Sequence, residues 1–148
     1  NVPDLPINNL LQLILDTQYS VMQNEALKMM EEIMTVTVYH NPRCSKSRAA
    51  MEYLEENGIE TEVVKYMDSP PDANDIKELL SMLGMTPREL MRKHEKVFKD
   101  AGLDDPTFTD DELIEAMAQC PSLIERPIVV NNGKAVLARP PETVQDIL

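Results

Sequence analysis

Apolar residues fall at helical spacing near the N-terminus, where Leu10, Leu11, Ile14 and Leu15, then Ala26, Leu27, Met30, Ile33 and Met34, predict helix over residues 1–34. At Thr35 the period changes. Residues 35–40 read Thr-Val-Thr-Val-Tyr-His, an alternation of polar and apolar positions rich in β-branched and aromatic side chains, which predicts a strand ending near His40. Asn41-Pro42 then turns the chain. Residues 45–56 return to helical spacing through Ala49, Ala50, Met51, Tyr53 and Leu54, and Asn57-Gly58 supplies the stop. Residues 61–66 predict a second strand, so this part opens β-α-β, with a parallel strand pair and a right-handed crossover.

Ser69-Pro70-Pro71-Asp72 breaks the chain before a helix over residues 73–83, closed by Gly84. Thr86-Pro87-Arg88-Glu89 opens the next helix with a capping box and Pro at its first position. Thr109-Asp110-Asp111-Glu112 repeats the box spacing ahead of a helix over residues 110–119, striped by Leu113, Ile114, Ala116 and Met117. Three helical segments are therefore expected in the middle. Ile128-Val129-Val130, the turn Asn131-Asn132-Gly133-Lys134 and Ala135-Val136-Leu137 predict a β-hairpin, and Pro140-Pro141-Glu142 leads into a last helix. The order β-α-β, helices, β-β-α predicts an α/β fold with a thioredoxin-like mixed sheet and a helical insertion between its halves.

Composition limits what such a fold does. A chain of 148 residues supports one domain with its own core and is short for two. Acidic residues outnumber basic ones 26 to 14, a formal charge of −12, which disfavours nucleic acid and anionic membrane surfaces as partners. The same charge repels small anions, so any oxyanion site must be a local gathering of Arg, Lys and backbone N–H groups. The longest apolar cluster, residues 10–15, falls far short of the roughly 20 residues of a membrane-spanning helix, so none is expected. Cys44 and Cys120 fit no disulfide framework and no leader pattern precedes them, which points to a reducing cytoplasm. Met34 stands directly before the first strand, so residues 1–33 read as an extension, a processed remnant or a segment foreign to the natural start.

Cys44 is the residue with chemistry. Just after a strand and at the first turn of a helix, its sulfur is expected to face unpaired N–H groups and the positive end of the helix dipole, with Arg43, Lys46 and Arg48 adding positive charge. These features favour thiolate. Ser45 or Ser47 either donates a hydrogen bond to the sulfur or caps the helix. His40 either orients the loop or interacts with the thiolate, or is a hydrogen-bonded structural residue. Ala50 stands where a phosphatase loop needs Arg, and Ser47 where a Cys-x-x-Cys dithiol needs its second cysteine, so the reading is a monothiol. Cys120, before Pro121 at a helix end, reads as a structural thiol. His40, Cys44, His94 and Cys120 match no familiar zinc spacing, and no metal is expected.

The run His40-Asn41-Pro42-Arg43-Cys44-Ser45-Lys46-Ser47-Arg48 resembles the glutaredoxin-coupled arsenate reductase family. So do Tyr66-Met67-Asp68-Ser69-Pro70-Pro71, Leu90-Met91-Arg92-Lys93, Ile124-Glu125-Arg126-Pro127-Ile128-Val129-Val130 and Arg139-Pro140-Pro141-Glu142, in order, from about Thr35 onward. The one departure is Ser45-Lys46 where the best-known reductases carry Gly-Thr, a Cys-Ser-Lys-Ser-Arg variant. The resemblance implies a thioredoxin-like domain over residues 35–148, with residues 1–34 a helical extension of unassigned role. It implies Cys44 as nucleophile, Arg92, Arg126 and Arg139 as oxyanion-binding residues, and Pro127 as a cis-proline beside the cysteine, with His40, Ser47 and Arg48 in support. It also implies arsenate or a related oxyanion as substrate, glutathione as co-substrate, glutaredoxin as partner, and no bound cofactor. Two other functions fit the fold: a generic glutathione-dependent thiol oxidoreductase, and a noncatalytic thiol-responsive regulator whose mark, a Cys-x-x-Cys switch, this sequence lacks.

Overall fold

The computed structural model describes residues 5–148, with the side chains of residues 9–30 and 35–148. Residues 1–4 of the expected first helix, and the side chains of Ile33 and Met34, lie outside that description. The chain divides into two units, Asn1–Met34 and Thr35–Leu148. In the first, helix α1 (Leu5–Met34) runs unbroken, and its described apolar side chains, among them Leu10, Leu11, Leu13, Ile14 and Leu15, are exposed. Among the described residues no helix is long and apolar enough to cross a membrane.

The second unit is built on four strands: β1 (Val36–His40), β2 (Thr61–Lys65), β3 (Ile128–Asn131) and β4 (Lys134–Leu137), in the order β2-β1-β3-β4. β1 and β2 are parallel, in register from Val36↔Thr61 to His40↔Lys65, and β3 joins β1 antiparallel through Val38↔Val129. The mixed sheet of the expected thioredoxin-like fold follows from these pairings. Asn131↔Lys134 closes the β3–β4 hairpin around Asn132-Gly133, both at positive φ (49° and 76°), the primed turn that matches strand twist and that Asn-Gly adopts readily.

Strand periodicity divides the core between the two faces. Val36, Val38 and Val129 point to one side, where they pack with Ala50 and Leu54 of helix α2 (Ser45–Glu56) and with Val144 and Ile147. Tyr39, Ile128 and Val130 point to the other, against a larger cluster that includes Ile76 and Leu79 of α3 (Ala73–Leu83). Helix α2 ends as Asn57-Gly58 predicts: Gly58 takes φ +68° and the Ile59 N–H bonds Leu54 O at 2.9 Å, which satisfies carbonyls the helix leaves open.

The middle of the chain differs from expectation. Four α-helices occupy it rather than three: α3, then α4 (Pro87–Leu90), α5 (Lys96–Asp100) and α6 (Asp110–Gln119). Thr86 opens α4 with a capping box, but the helix stops after one turn because Met91 turns extended and forms an antiparallel bridge with Ile124. The Arg92 N–H bonds Leu123 O at 2.7 Å and the Glu125 N–H bonds Leu90 O at 2.8 Å, so a tertiary pairing replaces the next helical turn. The last helix, Pro141–Ile147, is 3₁₀ rather than α. Its period of three stacks Val144 and Ile147 on one buried face, while Pro140 and Pro141 supply no N–H to begin an α ladder.

Leu54 is fully buried between α2 and the sheet. Leu54→Ala is expected to cost about 3 kcal/mol, read as a lower urea midpoint with an unchanged slope.

Candidate active site

The carboxyl end of β1 runs into the loop that carries Cys44. Pro42 fixes the turn, the Cys44 N–H bonds Asn41 O at 3.0 Å, and the Arg43 N–H bonds Asn41 Oδ1 at 3.1 Å. Cys44 is therefore the N-cap residue of α2, in extended conformation (φ −91°, ψ 123°), followed by Ser45, Lys46 and Ser47 in the first turn. Arg48 clamps the same loop, its guanidinium donating to Pro42 O at 2.8 Å.

Ser47 is fully buried, and its hydroxyl serves the loop rather than the sulfur. Ser47 Oγ accepts from the Asn41 N–H at 3.0 Å and lies 2.7 Å from His40 Nδ1. Burial lowers the His40 pKa, and the nearby Lys65 and Arg48 charges lower it further, so the ring is neutral at neutral pH. The contact with Ser47 ties His40 to the loop, and His40 is not among the groups that shift the Cys44 thiol.

Burial pushes the Cys44 thiol up, but the groups around the sulfur outweigh it. The Ser47 N–H, the Arg126 guanidinium and the Lys46 N–H hold the sulfur's charge, and the net pKa lies below that of an ordinary thiol. This corrects the expected source of the field. Arg43, Lys46 and Arg48 carry exposed side chains; Lys46 acts through its backbone, Arg48 through the loop, and the cation at the sulfur comes from Arg126, 82 residues on in sequence. The shift comes from fixed donors rather than from a diffuse surface charge.

The structure gathers the three arginines, each mostly buried, around two carboxylates. Arg92 Nε bonds Glu95 at 3.0 Å, and its terminal nitrogen lies 3.6 Å from Glu125. Arg139 bonds Glu125 at 2.6 Å and also reaches Arg126 O at 3.4 Å, while Arg126 lies 3.9 Å from Glu95. Arg92 arrives here through the Met91–Ile124 bridge, and Arg139 by extension of β4, where the Ala138 N–H bonds Pro127 O at 3.0 Å. The Arg126–Pro127 and Arg139–Pro140 bonds are both cis. Three guanidiniums against two carboxylates leave one net positive charge, less than the arginines alone present. A recess of about 390 Å³ between Lys46, Ala49, Ala138, Arg139, Pro140 and Pro141 borders the first turn of α2.

Sequence reasoning missed Glu95, Glu125 and Tyr66. Glu125 directly precedes Arg126 and Glu95 follows Arg92 by three, but helical spacing carries no pairing signal here, because residues 91–95 are not helical. Tyr66 lies one residue beyond β2, and its only signal was its place in a resembling segment. Cys120, a free thiol like Cys44, ends α6 and packs against the larger core cluster.

A mixed sheet of this order, with a helical insertion between its halves and a cysteine at the N-cap position of the helix after its first strand, has the thioredoxin-like topology. The ArsC family model matches residues 39–147, and the chain belongs to the ArsC family. It is 48% identical over 114 residues to the arsenate reductase of Neisseria meningitidis serogroup A, covering 76% of this chain and 97% of that protein. It is 52% identical to the uncharacterized protein YfgD of Escherichia coli strain K12, covering 76% of this chain and 96% of that one. Among solved structures, the arsenate reductase from Vibrio cholerae superposes with a TM-score of 0.76 at 47% identity, covering 78% of this chain and 98% of that chain.

A lowered thiol pKa makes folding depend on pH. The native protein releases the Cys44 proton at lower pH than the unfolded chain, so stability from this thiolate is full above the unfolded thiol's pKa and is lost as pH falls through the native one. Alkylation of Cys44 is expected to half-titrate below an ordinary thiol, and Arg126→Ala to move the midpoint upward. The stability gap between the intact protein and Cys44→Ser, read by urea unfolding, should widen from about pH 6 to pH 9.

Proposed function

We propose that the protein reduces arsenate to arsenite, with Cys44 as nucleophile and Arg92, Arg126 and Arg139 binding the oxyanion. The observation that carries this reading is Cys44 itself: a capping cysteine with a lowered pKa, beside Arg126, in a chain that spans nearly the full length of the Neisseria arsenate reductase. His40, Ser47 and Arg48 hold the cysteine loop, and Pro127, next in sequence to Arg126, supports the segment that carries that guanidinium. Within the family, Ser45-Lys46 after the cysteine supports placing the chain in a Cys-Ser-Lys-Ser-Arg branch.

The Cys44 thiolate attacks arsenic(V), and one oxygen leaves as water after protonation, which forms a sulfur–arsenic bond. Guanidinium forks converging on the oxygens stabilise the charge that shifts in this step. The thiol of glutathione then attacks the Cys44 sulfur. A disulfide forms, the sulfur–arsenic bond breaks with its electron pair passing to arsenic, and arsenite departs. Glutaredoxin exchanges with the mixed disulfide, returns the Cys44 thiol and carries the glutathionyl group away. A sulfur with a lowered pKa carries more thiolate at a given pH and is a better leaving group than an ordinary thiol, so it serves every step. The setting is the cytoplasm, where glutathione keeps Cys44 and Cys120 reduced.

One observation favours a second reading, a generic glutathione-dependent thiol oxidoreductase. Glu95 and Glu125 offset most of the arginine charge, which weakens the hold on a highly charged oxyanion. Arsenite formation with glutathione and glutaredoxin separates the two. The intact chain is expected to turn over, Cys44→Ser to be inactive, and Arg92→Ala to lose about 10-fold to 100-fold in kcat/KM, the loss of a charged hydrogen-bond donor. Equal rates in all three would end the reductase reading, and disulfide deglutathionylation without arsenite would support the second.

A further inference from the structure

Among the described residues, two buried side-chain polar atoms make no hydrogen bond: Tyr66 OH and Arg126 Nε. Buried polar groups are nearly always paired, because an unpaired one has given up water for nothing. Both orphans belong to the same small region. Lys65 is in register with His40, so Tyr66, the next residue, lies at the carboxyl end of the parallel pair β1/β2, beside the loop that carries Cys44. Its side chain is 1% exposed and belongs to the larger core cluster. Arg126, Arg92 and Cys44 act on its hydroxyl through their charges and Asn41 through its side-chain amide, and Arg126 also faces the Cys44 sulfur.

Among the described residues nothing accepts the Tyr66 proton. Asn41 keeps its Oδ1 on the Arg43 N–H at 3.1 Å; its amide acts on the phenol as a donor, which lowers the pKa, but falls short of hydrogen-bond geometry and takes no proton from the hydroxyl. Burial pushes the Tyr66 pKa up, and although Arg126 pulls the other way the net shift is upward, so the hydroxyl stays protonated and acts as a donor. Two donors, one neutral and one cationic, thus stand unused beside a nucleophilic sulfur. What satisfies both is a ligand with several acceptor oxygens on one central atom. A cationic or apolar ligand would leave both unmade.

We propose that Tyr66 is a substrate-binding residue whose hydroxyl, with Arg126 Nε, donates to the oxygens of the tetrahedral oxyanion that meets the Cys44 sulfur. This rests on the oxyanion-reducing reading above and adds a neutral donor to the three arginines. Arg92 and Arg139 already bond to glutamates, whereas the Tyr66 hydroxyl has no competing partner to release when the oxyanion arrives. A core position this buried would pack as well with Phe; the oxygen is there for the ligand.

Tyr66→Phe removes that oxygen and little else, and the full chain is tested by arsenate protection of Cys44 against alkylation. Rates are normalised to the arsenate-free rate of the same variant, so that a change in thiol reactivity cancels. The arsenate concentration giving half-protection is expected to rise about tenfold or more, the usual loss for a hydrogen bond to a charged group, with a parallel rise in KM. Thermal stability is expected to hold or increase, because an unpaired buried hydroxyl has been removed. A structural hydroxyl gives the opposite signature, a lower Tm with unchanged half-protection, and that result overturns the proposal. Unchanged half-protection at unchanged Tm overturns it too, as does failure of arsenate to protect Cys44 in the unsubstituted protein. Tyr66-dependent protection without arsenite formation would support the oxyanion donor while defeating the reductase reading.

Discussion

A negative charge on a sulfur partly withdrawn from water is the constraint to which the rest of the site answers. Burial alone would keep the Cys44 thiol protonated, so the fold must supply donors fixed in place. Two are N–H groups of the first turn of α2, which no carbonyl within the helix can reach. The third is Arg126. Holding the sulfur at the helix cap is in turn the task of the loop before it, and most of the loop's polar groups are spent on that. Asn41, Pro42, Ser47, His40 and Arg48 are joined by hydrogen bonds that fix where the chain leaves β1 and where α2 begins.

The positive side of the site is assembled by a different device. An acidic chain cannot hold three guanidiniums together at no cost, and here two glutamates lie between them. Glu95 joins Arg92 to Arg126, and Glu125 joins Arg92 to Arg139, so the arginines are held in position before any ligand arrives. Such pre-ordering reduces the entropy lost on binding and also reduces the net charge offered to an anion. The arginines are thus already engaged by carboxylates, whereas Tyr66 OH and Arg126 Nε have no partner among the described residues.

Helix termination does as much for this site as helix formation. If α4 continued beyond Leu90, Arg92 would stay on the surface of the helical insertion. Its single turn and the Met91–Ile124 bridge instead draw residues 90–92 alongside residues 123–125, which brings an arginine from the insertion to arginines from the two sides of the β3–β4 hairpin. Packing competes with helix propensity here, and extended pairing wins because it satisfies the same backbone groups while burying Met91 and Ile124.

Elements whose causes are local were legible in the sequence. Alternation marked β1, Asn-Gly marked the end of α2 and the hairpin turn, Thr-x-x-Glu marked the starts of α4 and α6, and a cysteine after Asn-Pro at a helix start marked the chemistry. These signals lie within four or five residues of what they control. What the tertiary structure alone decided depends on contacts across long stretches of chain: the cation at the Cys44 sulfur is Arg126 and not its neighbours Arg43, Lys46 or Arg48, and α4 is cut to one turn. It also set glutamates among the arginines and left Tyr66 OH unpartnered in the core. No local pattern reports such contacts, because charge and hydrogen bonding are settled by which groups meet in space once the sheet and its insertion have packed.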